Sequence, residues 1–324
     1  MKLPTLSVIL PNYNHARHLP KALSAMLSQS VQPHEIIVVD DGSTDNSVEV
    51  IQGFAAQHPV IKLQQNDRNR GVSYTLNHGI ALAQSEYLYF PASDDEILPG
   101  FFEKSLRLLA QHPQAGLCCT IGDWRELDTG VNWHMGVGMT DKPAYLSPKQ
   151  IMELESKGRF FITGHTAIMK RAALIEAGKF ILELKHFNDW FADSVTAYRH
   201  GICVVPEPLA IFNIESNSYY HRNRRNREIN DAAIEHALKL FSTPAYADVA
   251  GRMRQSGALY VLGPGTLRVM YQHPEYRAFL TPLFLRKVLW HATRISLKRC
   301  APAFLLNWYV RLAGYRSRGV KPQA

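Results

Sequence analysis

A chain of 324 residues that is 46% hydrophobic and 20% charged has the composition of a folded globular protein, built as one large core or as a main domain with an appendage. No run reaches the ~18 uninterrupted apolar residues of a spanning helix, no charged and apolar leader opens the chain, and Cys118, Cys119, Cys203 and Cys300 lack CxxC spacing. These features argue against a membrane span, a signal segment and a zinc or redox centre, and predict a cytoplasmic protein with reduced, buried thiols.

The first 120 residues alternate short apolar runs with amphipathic segments of helical length, as βαβ units do when they feed a largely parallel sheet. Strands are predicted at Leu6–Leu10, Glu35–Val39, Val60–Gln64, Tyr87–Phe90 and Leu117–Ile121, and helices at His18–Ser30, Thr44–Gln57, Val72–Ala83 and Gly100–Gln111. Right-handed crossovers then bring the C-terminal strand ends to one edge, where open α/β sheets bind ligands. Trp124 to Tyr145 reads as a long loop or irregular hairpin over that edge. A helix begins at Ser147-Pro148, with Ser147 as cap. A strand is expected at Phe160–Met169, a helix at Asp189–His200 and a short strand at Ile202–Val205. From about Asn226 the pattern is helical, with breaks at Pro244, Gly263-Pro264-Gly265, Pro274, Pro282 and Pro302.

Two strand ends carry paired acids. The first strand runs into Pro11-Asn12-Tyr13-Asn14 and the second into Asp40-Asp41-Gly42-Ser43, a combination that can stack a flat base and accept hydrogen bonds from its edge. Alone, the second segment reads equally as a capped strand-to-helix turn. The fourth strand ends in Ser93-Asp94-Asp95-Glu96. Adjacent carboxylates with few other ligands suit magnesium or manganese bridging a diphosphate, and alone they read equally as a helix start.

Taken in series, SVILPNYN (7–14), VVDDGSTDNS (38–47), NRGVSYTLNHGIALAQSEYLYFPASDD (69–95) and NDWFADSVTAYRHG (188–201) closely resemble glycosyltransferase family 2, over about residues 3–215. The resemblance implies a GT-A fold, α/β with a mostly parallel Rossmann-like sheet flanked by helices, and inverting transfer from a nucleotide-diphosphate sugar. The catalytic domain would span 1–221, with a nucleotide-binding half of about 1–121 and an acceptor half of about 122–221. A helical basic region would follow over 222–324. By position, Pro11, Tyr13, Asp40 and Asp41 match the base-binding set, with Asp41 facing a uracil edge, and Arg70 falls near the diphosphate. Asp94 and Asp95 match the last two places of the metal-binding D-x-D, whose first place is Ser93 here. That makes Asp95 the principal ligand of a manganese or magnesium ion and Asp94 a ribose or sugar contact. Asp189 is the expected base that takes the acceptor proton, Asp193 the second choice, and His165 and Trp190 the expected acceptor contacts. Phe212-Asn213-Ile214-Glu215 lacks the histidine the family often has there, with Glu215 or His221 as substitutes.

The activity implied is a hexosyl or N-acetylhexosaminyl transferase of surface polysaccharide synthesis, acting on a glycan or lipid-linked acceptor. Ser93, Asn188 and Glu215 keep open a degenerate binding or scaffold protein of the same fold. No Gly-rich loop follows the first strand, against a nucleotidyltransferase, and no GxGxxG follows any early strand, against a dehydrogenase. The net charge of +8 lies in the tail: residues 281–324 hold nine Lys/Arg and no Asp/Glu, and the rest nets −1. Within 283–298, Phe284, Val288, His291, Ala292 and Ile295 form one stripe, widened by Leu285, Leu289 and Trp290, with Lys287, Arg294 and Lys298 away from it. This stretch, with the apolar residues of Ala303–Val310, reads as a peripheral anchor on the inner face of an anionic membrane or as a helix packed on the catalytic domain. The arginines at 222, 224, 225 and 227 read as phosphate contacts or a solvated face; nucleic acid is not an expected partner.

Overall fold

In the computed structural model, residues 2–128, 132–214 and 223–300 are described, with side chains as far as 293. Glu215, His221, Arg222 and the 303–310 segment lie outside them.

The apolar runs become the centre of one mixed sheet. In chain order the strands are β1 (Leu6–Asn12), β2 (Glu35–Asp40), β3 (Ile61–Gln65), β4 (Tyr87–Tyr89), β5 (Glu96–Ile97), β6 (Leu117–Glu126), β7 (Asn132–Met135), β8 (Ala144–Leu146), β9 (Ala167–Lys170) and β10 (Ile202–Ile214). The sheet order is β3-β2-β1-β4-β9-β6-β10-β5, with β7 on β6 and β8 on β10. β1 to β4, β6 and β10 run parallel, whereas β9 is inserted antiparallel between β4 and β6. The expected mostly parallel sheet is therefore present, with β5, β7, β8 and β9 as its antiparallel members.

Every residue of β2 is buried, as a parallel strand must be when helices cover both faces. Side chains alternate along β1: Leu6, Val8 and Leu10 join one core with α1 (Leu19–Leu27), α2 (Ser47–Gln57) and α4 (Phe101–Gln111), through Leu23, Ile51 and Leu106. Ile9 joins the other, with Ile37, Ile80 of α3 (Val72–Leu82) and Phe191 of α7 (Asn188–His200). Each such side chain contributes about 1.5–3 kcal/mol on full burial. α5 (Pro148–Ser156) begins at the expected Ser147, which forms a capping box with Gln150. α6 (Arg171–Glu176) follows β9.

The second core continues into the C-terminal helices α8 (Arg227–Phe241), α9 (Ala247–Ser256), α10 (Gly265–Gln272) and α11 (Pro282–Cys300). Phe241, Met253, Met270, Phe284 and Val288 all belong to it, so these helices pack on the sheet domain. No helix among the described residues is long and apolar enough to cross a membrane.

Lys287 departs from expectation. It faces inward, and its Nζ lies 2.8 Å from Glu155 Oε1 of α5, both side chains buried. Burial opposes both charges, lowering the lysine pKa and raising that of the carboxyl. Lys287→Ala should strand Glu155 and cost about 3–5 kcal/mol in urea unfolding, while Lys287→Met with Glu155→Leu restores most of it. A double variant no better than the single one would show that the pair is not what holds α11.

Candidate active site

The parallel register sets Asn12 beside Asp40 at the ends of β1 and β2. Asn12 Nδ2 donates to Asp40 Oδ1 at 2.8 Å, and Ser43 donates to the same carboxylate through N and Oγ. Asn14, at φ 56°, accepts from Thr44 N through Oδ1 at 2.7 Å, which ties the first loop to the second. Pro11 is half-buried and Tyr13 is 42% exposed, leaving that ring open for stacking.

Asp41 is buried and turned toward the third strand end. It accepts from Asn66 Nδ2 (2.7 Å), Arg70 N (3.0 Å) and Gly71 N (2.8 Å). Gly42, at φ +73°, lets that loop close: a Cβ there would meet the Arg68 backbone at 2.8 Å. Asp40 and Asp41 thus hold the loops at these strand ends together, and the expected open carboxylate edge at Asp41 is taken up by the 66–71 loop. That loop holds Arg70 exposed, its guanidinium 4.2 Å from the Tyr74 ring centroid.

Past β4 the acidic turn splits in two. Asp94 is exposed, whereas the Asp95 side chain is only 2% exposed. Asp95 Oδ1 accepts from Asn213 N of β10 at 2.8 Å, and the Asn213 amide donates to the Asp94 carbonyl at 2.6 Å. Burial, and then the Asp94 charge, push the Asp95 carboxyl well above the usual range. The sequence made Asp95 the leading metal ligand, but the structure leaves Asp94 as the carboxylate a cation can reach. No group of three or more His, Cys, Asp or Glu that could hold a metal occurs among the described residues. Two carboxylates suit a hard cation that keeps its waters and shares a diphosphate, so the donor set fits magnesium or manganese. His15 Nδ1 contacts Ser93 Oγ and joins this turn to the base pocket.

His165, expected at the acceptor, is instead buried beneath the acids. Its Nε2 lies 3.1 Å from the Glu96 carbonyl, which can only accept, so Nε2 carries the proton. Nδ1 faces Tyr89 Oη at 3.3 Å and Asp95 Oδ2 at 3.7 Å, and desolvation lowers the ring to about 4, leaving it neutral.

One residue earlier, Gly164 lies against Asp189: a Cβ built on it would sit 3.1 Å from Asp189 Oδ2. Adjacent Cα atoms are ~3.8 Å apart, so the Gly164–Thr166 turn touches the acid pair on one side and Asp189 on the other. Asp189 is exposed, yet enough protein surrounds it for desolvation to raise its carboxyl, as on the floor of a cleft. Asp193 is buried below it and raised further, first by burial and then by Asp189; out of solvent, it is not the group an acceptor hydroxyl meets. Trp190 is half-buried against Phe187 and Phe241, where it docks α8. Asn188, also buried, donates to Ser73 Oγ. Gly164→Ala should displace Asp189 by a few tenths of an ångström, cutting turnover while nucleotide affinity stays the same; unchanged turnover would free the turn from any such role.

Sequence reasoning missed Asn66, which stood at a third strand end on the same edge, a usable signal. It singled out the stretches that hold Asn213 and Gly164 without giving those two residues a role, because their contacts lie more than 20 residues away in sequence.

The chain matches the Glycosyl transferase family 2 profile over residues 7–178. It is 34% identical over 128 residues to the uncharacterized glycosyltransferase YibD of Escherichia coli K12, covering 40% of this chain and 37% of that protein. It is 29% identical over 192 residues to the GalNAc(5)-diNAcBac-PP-undecaprenol beta-1,3-glucosyltransferase of Campylobacter jejuni, covering 58% of this chain and 56% of that one. Both matches span less than two thirds of the relative's own length. Among solved structures it is similar to S. aureus TarS 1-349 in complex with UDP-GlcNAc, with a TM-score of 0.59 at 15% identity over 88% of this chain and 78% of that one. It is also similar to the mannosyltransferase PcManGT from Pyrobaculum calidifontis in complex with GDP-Man and Mn2+, with a TM-score of 0.56 at 17% identity over 97% and 85%. At these identities the structural likeness is one of fold.

Proposed function

The chain belongs to glycosyl transferase family 2, and from that membership we propose that it is a metal-dependent inverting enzyme. It would move a sugar from a nucleotide-diphosphate donor, UDP-linked in the first instance, to a glycan or lipid-linked acceptor. The observation that carries this reading is the Gly164–Thr166 turn, which sets His165 against Asp95 and Gly164 against Asp189. This contact pattern supports a leaving-group site and a proton-accepting site set close together. The solved relatives supply the donor class, UDP-GlcNAc in one and GDP-Man with Mn2+ in the other.

In this reading Tyr13 stacks the base, the Asp41-held loop walls the pocket, and exposed Arg70 faces the diphosphate. Asp94, with Asp95 behind it, would hold the cation, which when bound neutralises charge on the leaving diphosphate. Asp189 takes the acceptor hydroxyl proton as that oxygen bonds to the anomeric carbon. The bond from that carbon to the diphosphate oxygen breaks, its electron pair leaves with the phosphate, and the configuration inverts. Because the Asp189 carboxyl is raised, transfer should fall on acidification through a midpoint above its ordinary 3.8.

A calorimetric panel of UDP-, GDP- and dTDP-sugars with and without manganese tests the donor. Heat for a nucleotide only with metal, and release of free sugar on incubation, are the expected results; no heat for any member with saturating manganese would end the proposal.

A peripheral membrane location belongs to the same reading. α11 turns Leu285, Leu289 (67% exposed), Trp290 (65% exposed) and Arg286 outward, and no Asp/Glu follows Glu275. Apolar and basic groups on one face suit an anionic bilayer. The chain should pellet with phosphatidylglycerol vesicles and not with phosphatidylcholine ones, and Leu289→Glu/Trp290→Glu should abolish pelleting. Equal recovery with both lipids would remove the membrane from the proposal.

A further inference from the structure

We propose that Trp124, Trp133, Phe161 and Phe212 form a stacking platform for the acceptor saccharide, a deepening that rests on the transferase reading. Trp124 of β6 lies opposite Phe212 of β10 in the parallel register and opposite Trp133 of β7 in the antiparallel one. Its ring stacks on Phe212 at 5.0 Å and 30°, and meets Trp133 at 5.8 Å and Phe161 at 6.1 Å. All four residues are half-buried.

Position assigns the occupant. Phe212 immediately precedes Asn213, whose N–H donates to Asp95 and whose amide donates to the Asp94 carbonyl. On the other side, the indole nitrogen of Trp124 and the Thr166 methyl both lie 3.2 Å from where a Gly122 Cβ would stand, and Thr166 closes the turn that carries Gly164 against Asp189. The rings therefore adjoin both the strand end that pins the acid turn and the turn that reaches Asp189, the neighbourhood in which an attacking hydroxyl has to arrive. A pyranose offers a flat face of C–H groups that packs on aromatic rings while its hydroxyls point to a polar rim.

Saturation-transfer NMR with methyl β-glucoside, β-galactoside and β-N-acetylglucosaminide is the test, run with and without UDP and manganese. Methyl glycosides carry no lipid chain, so a signal reports the sugar. At least one should bind the wild type, and Trp133→Ala should weaken it about tenfold, the loss of ~1.4 kcal/mol of ring contact. Trp133→Phe should keep most of the binding, and Trp133→Leu, apolar but without a flat face, should behave as the alanine variant. UDP affinity should be unchanged in all three, and each should remain folded at the assay temperature. No glycoside bound by the wild type, or equal binding by Trp133→Ala or Trp133→Leu, would overturn the platform. Failure of UDP itself to bind would instead strike the transferase reading, and the arms without nucleotide would still decide the platform.

Discussion

Asp189→Asn should lower transfer by about three orders of magnitude, within the 10²–10⁴ that a positioned general base supplies, and leave nucleotide affinity unchanged. The amide is isosteric and keeps an oxygen for the Trp190 N–H, now accepted at 2.8 Å, so the N-terminus of α7 retains its geometry. What it loses is the capacity to take a proton. Asp193 cannot replace it, being buried one turn further along the same helix. The pH profile supplies an independent check. In the wild type the acid limb reports loss of the ionised Asp189, and its midpoint should stand above 3.8 because desolvation raises the carboxyl. The residual activity of the variant should lack that limb. Transfer within a few fold of wild type, or a retained limb, would move the base elsewhere.

Legibility in the sequence followed the range of the interactions. β1, β2 and β4 were readable because a parallel strand buried on both faces must be a short apolar run, and their C-terminal ends named the base and acid turns. β9 was overdrawn at Phe160–Met169. Phe160–Thr166 has strand composition, yet it bends through a 3-10 turn at Gly164–Thr166, and only Ala167–Lys170 pairs. β10 was underdrawn for the opposite reason. It was drawn only over Ile202–Val205, but the strand runs past Pro206 and Pro208 to Ile214, with register shifts between Val205 and Ala210 where the missing proline N–H groups interrupt no regular ladder. That continuation delivers Phe212 and Asn213 to the acid turn, so the undetected length of one strand hid part of the site. Lys287 was hidden likewise: helical periodicity placed it on the solvent side, and only the distant Glu155 explains why it is buried.

Asp94→Asn and Asp95→Asn should part company, with the exposed residue the more costly to change. Asp94→Asn should lose on the order of a hundredfold in manganese-supported UDP affinity, a carboxylate's share of the several kcal/mol a metal provides, with no change in melting temperature. Asp95→Asn should lose less. Its side chain is 2% exposed, and the amide oxygen can still accept the Asn213 N–H that pins the turn to β10. Affinity measured without metal should be the same for both variants and the wild type, which separates loss of the cation from damage to the base pocket. The reverse order, a small effect at Asp94 and a large one at Asp95, would restore the assignment suggested by sequence position and require the turn to open when a cation binds. The physical difference is accessibility: a hydrated divalent ion reaches a carboxylate in solvent directly, and one sealed under Asn213 and His165 only after those contacts move.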